Sequence, residues 1–132
     1  MEIKLFLDPV AADDIPASNI RPGQQRLGEK IHIYSEKTNF PDLENCKVAL
    51  IGVLEERNAV NNAGCSTAPN HVRAALYQLF HHWPSLEVAD LGNIRAGHSV
   101  DDTYFALNQL VAELIRRKII PVVIGGSQDL TF

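Results

Sequence analysis

The sequence predicts a three-layer α/β/α fold built on a parallel sheet, and three observations carry that expectation. Apolar runs of strand length recur at 48–53, 86–91 and 119–124. Two segments with helical apolar spacing separate them, and Pro, Gly and capping residues stand at the joins. Strand, helix, strand, helix, strand is two βαβ units, whose right-handed crossovers set the helices against a parallel sheet.

Each element has its own signal. Val48-Ala-Leu-Ile-Gly-Val53 is continuously apolar, as a strand covered on both faces should be. After a polar, Asn-containing loop at 54–66, Thr67-Ala-Pro69 supplies a cap and a first-turn proline. The spacing of Val72, Ala75, Leu76, Leu79 and Phe80 predicts one buried face of a helix that Trp83-Pro84 ends. Residues 86–91 read as a second strand closed by Gly92-Asn93. Ser99 and Asp102 have capping-box spacing ahead of a second helix with the stripe Tyr104, Leu107, Val111, Leu114 and Ile115. Arg116, Arg117 and Lys118 sit where the helix dipole favours cations. Residues 119–124 read as the third strand, buried, before a loop and the first turn of another helix.

Ahead of this pattern, residues 1–46 read as an extension packed on the main domain, with short strands at 3–7 and 31–34. The X-Pro steps Ile15-Pro16 and Arg21-Pro22 argue against a helix through its middle. A three-stranded parallel sheet would leave long edges open, so either the extension covers one or residues 47–132 are part of a longer domain, incomplete at the C-terminus.

Composition narrows the function. At 132 residues, 45% hydrophobic and 21% charged, the chain suits one domain with a real core and is too short for two. A formal charge of -4 without a Lys/Arg run leaves no footprint for nucleic acid or an anionic membrane, which favours small-molecule or protein partners. Cys46 and Cys65 form no CxxC pair, and the N-terminus lacks a basic region followed by a long apolar run; both point to the cytoplasm.

Ligand sites in open α/β sheets lie beyond the carboxyl ends of the strands, which singles out 54–66, 92–99 and 125–129. The most specific feature is Pro121-Val-Val-Ile124 turning through Gly125-Gly126. With Ile51-Gly52-Val53, the stretch from Asn62 through Gly64 to Ala68-Pro69-Asn-His-Val72-Arg73, and Asp90-Leu91-Gly92-Asn93, in this order, the chain resembles the ureohydrolases: arginase, agmatinase and formimidoylglutamase. The resemblance covers about residues 47–132 and implies the N-terminal part of an arginase-like domain.

What the resemblance implies chemically is hydrolysis of C–N bonds in guanidino or formimino compounds by a hydroxide bridging two Mn²⁺ ions. The family takes its first ligand from the histidine of a Gly-Gly-Asp-His loop, and others from Asp-x-His-x-Asp and Asp-x-Asp. Here Ser127 stands at the aspartate and Gln128 at the liganding histidine, and the later motifs do not occur in the 132 residues. An amide oxygen is a poorer donor to a first-row divalent ion than imidazole, so Gln128 implies a weakened metal position. Asp129 is an alternative ligand in a shifted register, or an ordinary first-turn helix residue. Asn61, Asn62, Gly64, Gly125, Gly126 and Ser127 are expected to shape the loops or meet substrate. Such a parent would be a cytoplasmic, Mn²⁺-dependent enzyme, formimidoylglutamase type being favoured by the long N-terminal extension. It could form homo-oligomers, and this stretch alone is expected to be inactive. A non-catalytic relative, or a module binding an anion at the Gly-Gly turn, are the alternatives.

The remaining polar residues have quieter readings. His32, His71, His81, His82 and His98 form no i, i+4 pair. Cys65 has few neighbouring cations to lower its pKa. Arg73 is expected to brace the loop through backbone carbonyls, and Asp90 either to orient its neighbours or to take part in catalysis.

Overall fold

The computed structural model describes residues 2–15 and 25–131. The two X-Pro steps of the extension fall outside them. Short elements come first: a 3₁₀ turn at Ile3–Phe6, β1 at Leu7–Asp8, a second 3₁₀ turn at Ala12–Asp14, α1 at Leu27–Lys30 and β2 at His32–Ile33. The regular part follows as β3 (Val48–Val53), α2 (Ala68–Leu76), β4 (Val88–Ile94), α3 (Val100–Arg116) and β5 (Ile120–Ile124), and a 3₁₀ turn at Gln128–Thr131 comes last.

Strand β3 lies at the centre of the parallel part, with β4 on one side and β5 on the other. The far edge of β4 is shared by β1, antiparallel at Asn93 and Ile94, and β2, parallel at Ala89 and Asp90. The extension therefore covers one of the edges that would otherwise be open.

Alternation along β3 separates two cores. Ala49, Ile51 and Val53 pack with Ala106, Leu110 and Leu114 of α3, while Leu50 packs with Tyr77 beyond α2. Helices thus lie on opposite faces, giving the three layers the sequence predicts. Leu110 and Leu114 are fully buried, each contributing about 1.5–3 kcal/mol of transfer free energy. The Ser99–Asp102 box forms as its spacing implies: Asp102 N donates to Ser99 Oγ (3.3 Å) and Ser99 N to Asp102 Oδ2 (2.8 Å).

Several local expectations need correction. Helix α2 ends at Leu76, well before Trp83-Pro84, and buries Pro69 and Arg73; Val72, Leu79 and Phe80 are exposed. A buried ion pair, and not an apolar stripe, decides its rotation. Thr67 does not cap this helix, because a 3₁₀ turn at Cys65–Thr67 precedes it and the Thr67 hydroxyl donates to Gly64 O (2.9 Å). On α3 the buried line is Thr103, Ala106, Leu110, Glu113 and Leu114, and Ile115 is exposed. Small residues at 103 and 106 let the helix lie close to the sheet. Tyr104, Leu107 and Val111 instead line a groove against Val123 and Leu130.

Two strands also differ from their expected limits. Strand β4 runs through Gly92-Asn93 to Ile94, since Gly92 (φ 81°) forms a bulge that lets the strand continue. Within the described residues strand β5 stands at the edge of the sheet, with Ile120 62% exposed and Val122 40%. Among the described residues nothing pairs with its far side.

Candidate functional site

The order β4-β3-β5 fixes where a ligand would meet this sheet. From β3 the chain crosses to one side and from β4 back to the other, so the carboxyl ends of β3 and β5 flank a topological switch point. The loop after β3 and the corner after β5 enclose a cavity of about 410 Å³ there, lined by Asn58, Ala59, Val60, Asn62, Gln128 and Asp129.

The corner depends on glycine. A Cβ on Gly126 would stand 2.1 Å from the Glu55 carbonyl oxygen, and the neighbouring Ser127 N donates to that same oxygen (2.9 Å). A Cβ on Gly125 would meet only the Leu130 side chain, at 3.3 Å. Gly64 (φ 87°) turns the β3 loop into the 3₁₀ turn before α2, and Asn61 (φ 53°) also takes a left-handed conformation. Asn61 is exposed and does not line the cavity, whereas Asn62 does.

At the corner itself, Ser127 is buried with its hydroxyl beside the Asp129 carboxylate, and Gln128 is exposed and lines the cavity. Asp129 Oδ2 accepts from the Tyr104 hydroxyl, which in turn accepts from Asn58 Nδ2 (3.1 Å). Asp129 Oδ1 is buried, closed off from solvent. The adjacent Ser127 hydroxyl and the Tyr104 hydroxyl hold the Asp129 carboxyl below the usual aspartate range, while the Tyr104 phenol is pushed up because its proton serves Asp129. A carboxylate and amide groups therefore meet at the switch point.

Sequence reasoning missed the residues that hold these loops together. Glu55, 4% exposed, accepts at Oε1 from Arg57 N and Nε (both 2.9 Å) and at Oε2 from Arg57 Nη2 (2.5 Å) and Thr103 Oγ1 (3.0 Å). Arg57 also donates to the carbonyls of Gly97, His98 and Ser99. Glu55 and Arg57 together thus join all three carboxyl-end loops: the Glu55 backbone holds Ser127, its side chain holds Arg57 and Thr103 of α3, and Arg57 reaches the segment before α3. Only two acidic residues and an arginine after a strand end could have signalled this, a pattern common in solvated loops.

These bonds to Arg57, above all, hold the Glu55 carboxyl down at about 2. A depressed carboxyl contributes stability above its unfolded pKa, and the contribution is lost as pH falls through the folded one. Between about pH 4.5 and 2 the chain should therefore lose the Glu55 contribution. Urea melts of Glu55→Gln should show lower stability at neutral pH and a shallower decline over that window; an unchanged slope would refute the clamp.

Behind the loops, Arg73 and Asp90 form a fully buried bidentate pair. Arg73 also reaches the Gly92 carbonyl (2.7 Å) and Asn93 Oδ1 (2.6 Å). The expected bond to a backbone carbonyl is present, but the Asp90 carboxylate is the principal partner. Asp90 faces away from solvent and serves to orient its neighbours.

The histidines do not gather. His32 pairs with Glu87 (2.9 Å), His81 is buried, and none of the five lines the cavity. Among the described residues no three His, Cys, Asp or Glu side chains converge to hold a metal ion. Nor is any described helix long and apolar enough to cross a membrane.

A family model described as the arginase family matches residues 46–132. No curated protein and no solved structure gives a match. The matched residues take in β3, α2, β4, α3, β5 and the Gly-Gly corner, so the elements that build the cleft are those by which this chain belongs to the arginase family.

Proposed function

We propose that this chain is the N-terminal portion of a ureohydrolase-like hydrolase cleaving C–N bonds of guanidino or formimino compounds, formimidoylglutamase type being favoured, and that it is inactive as this stretch alone. Residues 1–46 are an extension docked on the β4 edge, and residues 47–132 belong to the catalytic domain. The protein works in the cytoplasm on small molecules. The observation that carries the reading is the cavity at the β3/β5 switch point within an arginase-family stretch. Its lining, one carboxylate and several amides without a cation, suits a polar, donor-rich substrate end.

Two Mn²⁺ ions belong to this reading through the family, and when bound they supply a hydroxide at neutral pH. The donor set of this chain does not fit such a pair. Gln128 offers a neutral amide, Asp129 is engaged by Tyr104, and Glu55 by Arg57 and Thr103. What the chain's own residues do is form the cleft floor, with Asn58, Asn62, Gln128 and Asp129 presented to a ligand.

The test is a hydrolysis assay of the full-length protein with Mn²⁺, using guanidino acids, guanidino amines and N-formimino-glutamate. Release of urea, ammonia or formamide supports the proposal; none across the panel overturns it. The Tyr104–Asp129 bond favours a second reading, a non-catalytic family member whose domain serves assembly. That reading requires no product and no bound Mn²⁺.

A further inference from the structure

We infer that the corner after β5 is closed by a protein-internal chain of hydrogen bonds, Asn58 to Tyr104 to Asp129, in place of a metal ion, so that this cleft does not bind Mn²⁺. The inference goes beyond the proposed function: it sides with the non-catalytic reading, which requires no bound Mn²⁺, and it is read out without a hydrolysis assay.

Three features of the corner support this. Asp129 Oδ2 is already the acceptor of the Tyr104 hydroxyl, so an ion approaching it must displace a charge-assisted bond. Asp129 Oδ1 is closed off from solvent beside the buried Ser127, where a hydrated ion cannot reach it without moving the corner. The corner cannot yield easily, because Gly126 lies against the Glu55 backbone and Ser127 N is bonded to the Glu55 carbonyl.

The surrounding charge points the same way. Mn²⁺ prefers roughly octahedral sets of hard oxygen or imidazole donors, with enough negative charge to offset its dehydration. Glu55 is neutralised by Arg57, and Glu56 is turned to the Ser66 backbone N–H (3.1 Å). Among the described residues Asp129 is therefore the one carboxylate lining the cavity, and its companions Asn58, Asn62 and Gln128 are neutral. With Tyr104 supplying the positive end of a dipole to Asp129, the corner satisfies its carboxylate internally. Tyr104 and Asn58 are thus positioning residues for the segment that carries Gln128.

Two measurements on the full chain test this. Stoichiometric Mn²⁺ added to the protein should keep its full free-ion electron paramagnetic resonance signal, in the wild type and in Asp129→Asn alike. Attenuation in the wild type that Asp129→Asn abolishes overturns the inference; attenuation that Asp129→Asn leaves unchanged puts the ion elsewhere and agrees with it. In hydrogen exchange, Tyr104→Phe should speed exchange across 128–131 by about tenfold, the loss of a bond to a charged acceptor. Unchanged exchange there overturns the closure. Should Tyr104→Phe fail to accumulate, Asn58→Ala, in an exposed loop, should give a smaller quickening of about threefold at the same segment, and none would overturn it equally. Both readouts are independent of hydrolysis, so failure here is distinct from failure of the proposed activity.

Discussion

Replacing Arg73 by Met, or Asp90 by Asn, is expected to destabilise the folded chain by about 3–5 kcal/mol, read from the midpoint of urea unfolding. Both side chains are fully buried, so removing one partner leaves the other's charge in a poorly solvating interior. The remaining bonds cannot compensate. Tyr77 donates to Asp90 Oδ2 (2.7 Å) and Gly92 N to Oδ1 (3.0 Å), so the carboxylate loses its only full countercharge with Arg73. Burial and the Asp90 charge push the Tyr77 phenol well up, so it stays a proton donor and cannot substitute for the cation. Against a typical domain stability of about 5–15 kcal/mol, either single change brings the chain near unfolding. An Arg73→Met/Asp90→Leu double variant should recover part of the loss, because no unpaired charge remains. A single-variant cost below about 1 kcal/mol would show that the pair is not sealed from water.

That pair also marks what the sequence could and could not reveal. The strand and helix order was legible because apolar runs and caps are local signals: 48–53 and the Ser99–Asp102 box appear where the pattern puts them. The rotation of α2 was not, since Arg73 is a cation in sequence and a core residue only once Asp90 lies opposite it. Likewise Tyr104 reads as one member of an apolar stripe, yet its hydroxyl meets Asp129 from 25 residues away. The Gly-Gly corner was legible as a motif. The Glu55 clamp was not, because Thr103 and the carbonyls of 97–99 become its partners only when α3 crosses back over the sheet. Strand β5 reads as buried from composition, but burial depends on neighbours that an apolar run does not specify.

Gly92→Ala is expected to cost about 2–5 kcal/mol, and the loss should appear first where the extension meets the sheet. Two penalties combine. Gly92 has φ 81°, a conformation in which a Cβ costs about 1–2 kcal/mol. The added Cβ would also stand 2.2 Å from the Asp8 carbonyl oxygen and 3.3 Å from Pro9 Cα, both backbone atoms, and such overpacking typically costs about 1–3 kcal/mol. Relief requires β1 to move off β4, where Asp8 pairs with Asn93. Asn93 is also a partner of Arg73, so displacement at the edge is transmitted to the buried pair. Gly64→Ala is the natural control: its φ is 87° but the space around it is open, so only the conformational cost of about 1–2 kcal/mol applies. Thermal and urea unfolding should rank Gly92→Ala below Gly64→Ala, and limited proteolysis should cut within residues 2–15 earlier in Gly92→Ala alone. Equal stabilities would mean that β1 yields freely, and the extension would then be a loose cover on the β4 edge and not a strand of the sheet.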